Sequence, residues 1–324
     1  MRILKPKFEI LNQNHHNGLD GVFEMIKTAG QTCYDSESTR TPKEFVDMLI
    51  KLGHCAMLEH GTVYLKLEIT KDNCTKDFEY KFAGFTAHYN WSDVVGNIGA
   101  KYRDNKYSFV HYVLQGTYNA PVHSYYITTN YRVIIENGWE EDLQFICAPT
   151  EYHEKRVTVR FTTQIAISRE YNRHRVDSIA EQSTRYCNYS KDKYDGQVSV
   201  VKPTWVADII KDNEHKIDVN LRNLCQSIYI GDDVQEWDAL RYWLFGNLAA
   251  EYAYLNMLRL GRTAQEARTV LALDTCTELV HTAFISDWKH FFDLRALGTT
   301  GKPHPDAKIL AEPLMEEFKR LKLI

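Results

Sequence analysis

The 324 residues include 39 basic and 43 acidic side chains, a net charge of −4, with 44% apolar and 25% charged residues. That length gives ample core for one large domain or two modest ones, and the composition excludes a collagen-like or wholly disordered chain. The slight acidity argues against a protein dedicated to gripping nucleic-acid backbone, while leaving room for a local basic pocket that takes a small anion. No apolar run is long enough to span a bilayer, and the opening MRILKPKFEI lacks the apolar core and cleavage site of a secretory signal, so a cytoplasmic protein away from membranes is expected. Cys33, Cys55, Cys74, Cys147, Cys187, Cys225 and Cys276 are scattered and never in CxxC spacing. That pattern favours reduced thiols over a disulfide framework or a zinc centre.

In chain order, a short strand and an amphipathic helix around 22–28 come first. Thr41-Pro42-Lys43-Glu44 forms a capping box with proline at the first helical position. Phe45, Met48, Leu49 and Leu52 then share one helical face, and Gly53 is a natural stop. His54 is left on a loop running to His60. Residues 62–69 alternate, with Val63, Leu65, Leu67 and Ile69 on one side and Tyr64, Lys66 and Glu68 on the other, as in a half-buried strand. Residues 156–162 repeat the pattern with Val157, Val159 and Phe161.

Between these strands, residues 71–155 are rich in Tyr, Asn and Trp, with strand-like stretches at 106–115 and 123–130 and a helix at 131–145. They read as an insertion into a single domain spanning 1–324, and their aromatics suggest that they extend a subunit contact or cover the mouth of an active site. Residues 163–173 look helical, and 186–197 are polar. A long helix over 236–260 has Trp237, Leu240, Leu244, Leu248, Leu255 and Leu258 at helical spacing and stops at Gly261. Its aromatic stripe from Trp237 to Tyr254 reads as core or subunit interface. A second capping box, Thr263-Ala264-Gln265-Glu266, opens a helix expected to reach 273. The tail, with Ile309, Leu310, Leu314, Phe318 and Leu321, reads as an amphipathic helix broken at Pro313. Neither GxGxxG nor GxxxxGK occurs, so nucleotide binding of those two kinds is unsupported.

The densest polar cluster is 169–186, which packs four arginines, a histidine, two serines and several carboxylates just beyond an apolar strand and helix. Arginine forks recognise phosphate bidentately and stack on planar rings. Hydroxyls and backbone amides on a turn add donors for anions. A solvated charged face is the plain alternative, and placement on a loop directly after core elements favours function.

Here the residues resemble a family. Arg173-His174-Arg175, Ser178, Glu181, Ser183, Arg185 and Tyr186 are similar to the signature of the flavin-dependent thymidylate synthases. Gly53-His54 to Glu59-His60, ahead of an alternating strand, looks like the family's upstream histidine loop. Arg268, the run Phe291-Phe292-Asp293-Leu294-Arg295 and His304-Pro305 match its later pattern. The resemblance covers most of 30–70 and 157–310, and the insertion matches only a longer subset of the family.

The resemblance implies an α+β fold, a central mainly antiparallel sheet flanked by helices. It implies reductive methylation of dUMP to dTMP, with 5,10-methylenetetrahydrofolate as one-carbon donor, FAD as hydride source and NADPH as reductant. Arg295 would assist ionisation of the uracil ring as the catalytic residue. Arg268, Arg185 and Ser183 would hold dUMP, with Gln182 and Thr184 through the backbone, Glu181 beside them, and Glu170 and Arg173 from a neighbouring subunit. Arg173, His174, Arg175, Glu181, His54, Ala56 and His290 would contact FAD, with Phe284 and Ser286 at two further flavin positions. A homotetramer with shared active sites follows, with no nucleic-acid partner and no metal. Four residues depart from the family pattern: Cys33, Ala180, Phe284 and Ser286. The last two leave open a catalytically silent homologue that binds a nucleotide or RNA through the same arginines.

Other tempting residues have plainer readings. Ser183 would need an adjacent base to act as a nucleophile, and the resemblance implies hydride chemistry that requires no enzyme nucleophile, so it is assigned to binding. Cys187 resembles the nucleophile of the folate-only thymidylate synthases with nothing else to support it. His54, Glu59 and His60 do not have HExxH spacing, so a metal-dependent hydrolase is disfavoured.

Overall fold

The computed structural model describes residues 1–13, 18–74, 77–82, 85–118, 120–209 and 238–324, with backbone alone over 77–82 and 85–89. Its strands are β1 (Arg2–Leu4), β2 (Lys7–Ile10), β3 (Thr62–Ile69), β4 (Asp77–Phe82), β5 (Phe85–Asn90), β6 (Phe109–Thr117), β7 (Ala120–Asn130), β8 (Arg156–Gln164), β9 (Ser178–Glu181), β10 (Ser199–Val201) and β11 (Cys276–Phe284). The α-helices among the described residues are α1 (Gly18–Tyr34), α2 (Pro42–Lys51), α3 (Trp91–Arg103), α4 (Tyr131–Asn137), α5 (Ile165–Tyr171), α6 (Thr204–Ile209), α7 (Ala239–Arg259), α8 (Ala264–Ala267), α9 (Ile285–Phe292) and α10 (Pro305–Arg320).

The four-stranded sheet β2-β8-β11-β9 is antiparallel throughout and organises an α+β fold. Alternation sends Val157, Val159, Phe161, Leu279 and Ala283 to one face, where α9 and α10 bury them with Trp288, Phe291, Leu314 and Phe318. Ala180 and Val280 point to the other face and join a larger core with α1, α2 and the sheet β3-β7-β6. A Cβ on Gly61 would lie 2.7 Å from the side chains of both Val22 and Ile26, so only glycine lets α1 pack flush against the Cys55–His60 turn. A small third core under α7 joins Cys187, Tyr189, Val198, Tyr254 and Ala267.

Both capping boxes form, Thr41 with Glu44 and Thr263 with Glu266. The strands expected at 62–69 and 156–162 are present, but Thr62 to Leu65 are buried on both faces, because Tyr64 packs edge-on against His153 and its hydroxyl accepts from the Arg156 N–H (3.2 Å). The helix expected over 131–145 ends at the left-handed Gly138 and gives way to a 3₁₀ turn over Glu140–Phe145. The helix expected to reach 273 stops at Ala267. The carbonyls of Leu273, Asp274 and Thr275 instead accept from Ala166, Val201 and Ile165, which draws that stretch out of a helix. The break at Pro313 does not occur: α10 is continuous. Leu310, Ala311, Leu314, Met315 and Phe318 lie on both sides of the proline and are buried together, each gaining about 1.5–3 kcal/mol for a large side chain, which outweighs the roughly 3 kcal/mol proline penalty. The long helix runs Ala239–Arg259; Trp237 and Cys225 lie outside the described residues. Tyr254 is core, whereas Tyr242 and Tyr252 are exposed. The remaining six cysteines are free thiols.

Residues 71–155 supply the β4-β5 hairpin, α3, β6 and β7, and β7 pairs with the whole length of β3. No described helix is long and apolar enough to cross a membrane.

Candidate active site

The Arg173-His174-Arg175 turn links α5 to β9. Across from it, α9 runs into a π-helical turn, Asp293–Leu297, that presents Arg295. Such local widenings of a helix recur at functional sites. The loop after it folds back through Gly298, where a Cβ would lie 2.6 Å from Pro303 and 2.8 Å from the Gly301 carbonyl. These elements enclose a cleft of about 830 Å³, lined by Glu170, Arg173, Arg175, Asp287, His290 and Lys302 among others. That volume is in the range of small-molecule sites, about 300–1,000 Å³.

All three guanidinium nitrogens of Arg295 are already engaged. Its Nη1 donates to Glu170 Oε2 (2.7 Å), its Nη2 to the Glu170 carbonyl (2.6 Å), and its Nε to His174 Nε2 (3.2 Å). The His174 ring must accept at Nε2, so it is neutral. Burial, then the neighbouring His281, pushes its pKa down to about 4. His290 sits 5.9 Å from the His174 ring. Arg173 and Arg175 are exposed, and Arg173 approaches Glu170 only at 3.9 Å. Burial, then Asp177, raises the Asp287 carboxyl.

A second group forms at the other end of β9. The Ser183 N–H donates to the Cys33 carbonyl (2.9 Å) at the end of α1. Arg268 donates to Thr184 Oγ1 (3.2 Å), and Arg185 donates to Gln265 Oε1 (2.9 Å). His54 joins this group: it shares a hydrogen bond with the Tyr34 hydroxyl (2.9 Å), and Tyr34 stands edge-on to Tyr186. A four-residue strand at about 3.3 Å per residue spaces the two groups by roughly 13 Å.

Glu181 and Gln182 brace the scaffold between them. Glu181 accepts from Ser168 (2.6 Å), Asn172 (3.0 Å) and Thr277 (3.3 Å). Gln182 donates to Asp35, which also receives Lys193 and Tyr194. Two expected flavin contacts stand apart. Phe284 lies on the other face of the sheet, with its ring 5.4 Å from the Arg156 guanidinium and 6.5 Å from Phe109. The Ser286 N–H is taken by Glu154 (3.0 Å), and Ala56 is exposed on its 3₁₀ turn. Cys187 is fully buried and its thiol is pushed up to about 12, which makes it an inert packing residue. His60 is buried against Thr282 Oγ1 (2.8 Å), and no metal-holding cluster of three occurs among the described residues.

The sequence does not single out Asp35 or His281, and it gives no site role to Asp177, within the polar cluster, or to Gln265, within the second capping box. His281 had one signal: it is a polar residue in an apolar row, between Leu279 and Ala283.

Over residues 151–321, a span that contains the arginines of both groups but not His54, Tyr34 or Cys33, the sequence matches the family described as thymidylate synthase complementing protein. The chain belongs to that family. Among solved structures, the fold is similar to the UMP/dUMP methylase PolB from Streptomyces cacaoi bound with 5-Br dUMP. Identity is 14%, coverage 99% of this chain and 93% of that one, and the TM-score 0.40. The same protein with 5-Br UMP gives 13%, 99%, 92% and 0.41. Thymidylate Synthase X from Helicobacter pylori, solved with FAD and dUMP, gives 17% identity over 51% of this chain and 70% of that one, with a TM-score of 0.33. A search of curated proteins gave no match.

Proposed function

We propose that this chain is a flavin-dependent thymidylate synthase, converting dUMP to dTMP with 5,10-methylenetetrahydrofolate, FAD and NADPH. The observation that carries the reading is the family match over a span whose arginines gather into two anion-ready groups, one of them holding Arg295 preorganised. The donor set fits a dinucleotide cofactor: exposed Arg173 and Arg175 suit a diphosphate, and the histidine-lined cleft is of suitable size. When bound, FAD reduced by NADPH supplies the hydride. Phe284 and Ser286 take no part in that cleft, so the cofactor is gripped from the arginine turn and His290.

Arg185, Arg268 and the Ser183 hydroxyl bind the dUMP phosphate and sugar, with the backbone of Gln182 and Thr184. Arg295 faces the uracil ring and stabilises negative charge there, its fork aimed by Glu170 and His174. One nucleotide spans both groups most directly if they come from different chains, which supports a homotetramer with shared sites. The catalytic domain is the whole 1–324, with 71–155 an insertion beside Phe284.

Purified protein with dUMP, methylenetetrahydrofolate, NADPH and FAD, each omitted in turn without oxygen, is expected to form dTMP only in the complete mixture. Product without FAD, or none from a folded oligomer, would overturn the reading.

A further inference from the structure

At the wall of the cleft, which Asp177 lines, Asp177 Oδ2 lies 2.6 Å from His281 Nε2, and both side chains are essentially without solvent contact. His281 projects from the central strand β11 and is walled by Trp288 (4.4 Å between rings), Phe291 (5.5 Å) and Phe161 (6.4 Å). The other polar atoms, His281 Nδ1 and Asp177 Oδ1, have no protein partner. Apolar side chains of similar volume would often serve stability as well or better than an ionisable pair buried this deeply. The pair does fix a turn. Asp177 closes it, its N–H donating to the His174 carbonyl (3.2 Å). From Arg173 to Asp177, the side-chain hydrogen bonds and ion pairs among the described residues are three: Asp177 to His281, His174 to Arg295, and the long approach of Arg173 to Glu170.

We infer that the Asp177–His281 pair positions the ligand-binding turn. It ties the turn to the central strand and, through His174, sets the direction of the Arg295 guanidinium. Asp177 and His281 are thus positioning residues, and neither touches the substrate. The functional side of this inference rests on the proposed uridylate site. The tether does not.

Two measurements on the full-length protein test it: dUMP affinity by calorimetry, and hydrogen exchange in the peptide over 172–178. Asp177→Ala and His281→Leu are each expected to weaken dUMP binding about tenfold or more. Exchange should quicken in that peptide while β8 is unchanged. The double variant should bind no worse than the weaker single, since both remove one tether. Asp177→Asn and His281→Gln keep a hydrogen-bonding atom in place and should stay within about threefold of the parent. Unchanged exchange and affinity in folded single variants would overturn the proposal, as would losses that multiply in the double. If the parent protein binds no dUMP, the functional reading fails and exchange alone decides the tether: faster exchange confined to the turn supports it, and unchanged exchange overturns it. If neither Asp177→Ala nor His281→Leu folds, the pair is a stability element and the proposal falls.

Discussion

Arg295 shows how a residue is prepared before its ligand arrives. Glu170 and His174 hold its three nitrogens, so under the proposed function little reorganisation would remain when charge develops beside it. Arg295→Ala is expected to abolish dTMP formation while the circular dichroism spectrum stays that of the parent, and near-normal turnover would remove it from the mechanism. Arg185→Ala should weaken dUMP binding by about 1.5–3 kcal/mol, the worth of a hydrogen bond to a charged group, as read by calorimetry. A pH effect belongs at this scale too. Burial holds the pKa of His60 down at about 3 and that of His174 at about 4, against 6.5 for the unfolded chain. As pH falls below about 6.5 the unfolded chain takes up protons that the folded one refuses. Their contribution to stability is therefore complete above that pH and is lost on acidification, at no more than about 1.4 kcal/mol per pH unit for each ring. Urea midpoints at about pH 7 and pH 5 should differ, and His60→Gln should narrow the difference. The arginines, Ser183 and His54 were legible in the sequence because their spacing is a motif. The Asp177–His281 pair was not, because its members lie in segments that meet only when β9 and β11 pair.

Helix starts are written locally, and both capping boxes form where Thr41 and Thr263 stand. Strand β11 was invisible for the opposite reason. It is covered on both faces, so polar Thr277, His281 and Thr282 are buried with Leu279 and Val280, and no clean alternation survives. Pro313 is a third case, because its local cost is outweighed by the core on either side of it, which local sequence does not reveal. That core predicts its own test. Phe318 is fully buried against Trp288 (5.4 Å) and Phe292 (5.1 Å). Phe318→Ala should cost about 3–5 kcal/mol in chemical denaturation, and a loss under 1 kcal/mol would mean that α10 contributes little to holding the sheet.

Across the whole molecule, the two arginine groups sit at opposite ends of one short strand, and this makes assembly testable through activity. If each site takes Arg295 from one chain and Arg185 with Arg268 from another, two dead proteins can repair each other. Arg295→Ala and Arg185→Ala chains, unfolded and refolded together, should recover roughly a quarter of parent turnover. Either alone should remain inactive, and no recovery from properly mixed oligomers would place each site within one chain. The same long-range pairing governs how the protein is made. The first core draws nearly all its residues from 11–134, so it can condense early on the ribosome. The sheet beneath the site cannot. β8 ends at Gln164 and meets β2 at once on one edge, but its other partner, β11, begins at Cys276. At about 5–20 residues per second, a strand whose Val157, Val159 and Phe161 face still awaits α9 and α10 stands with one edge bare for roughly ten seconds of synthesis. The nascent chain's exposure to aggregation, and its need of chaperones, is concentrated in that interval.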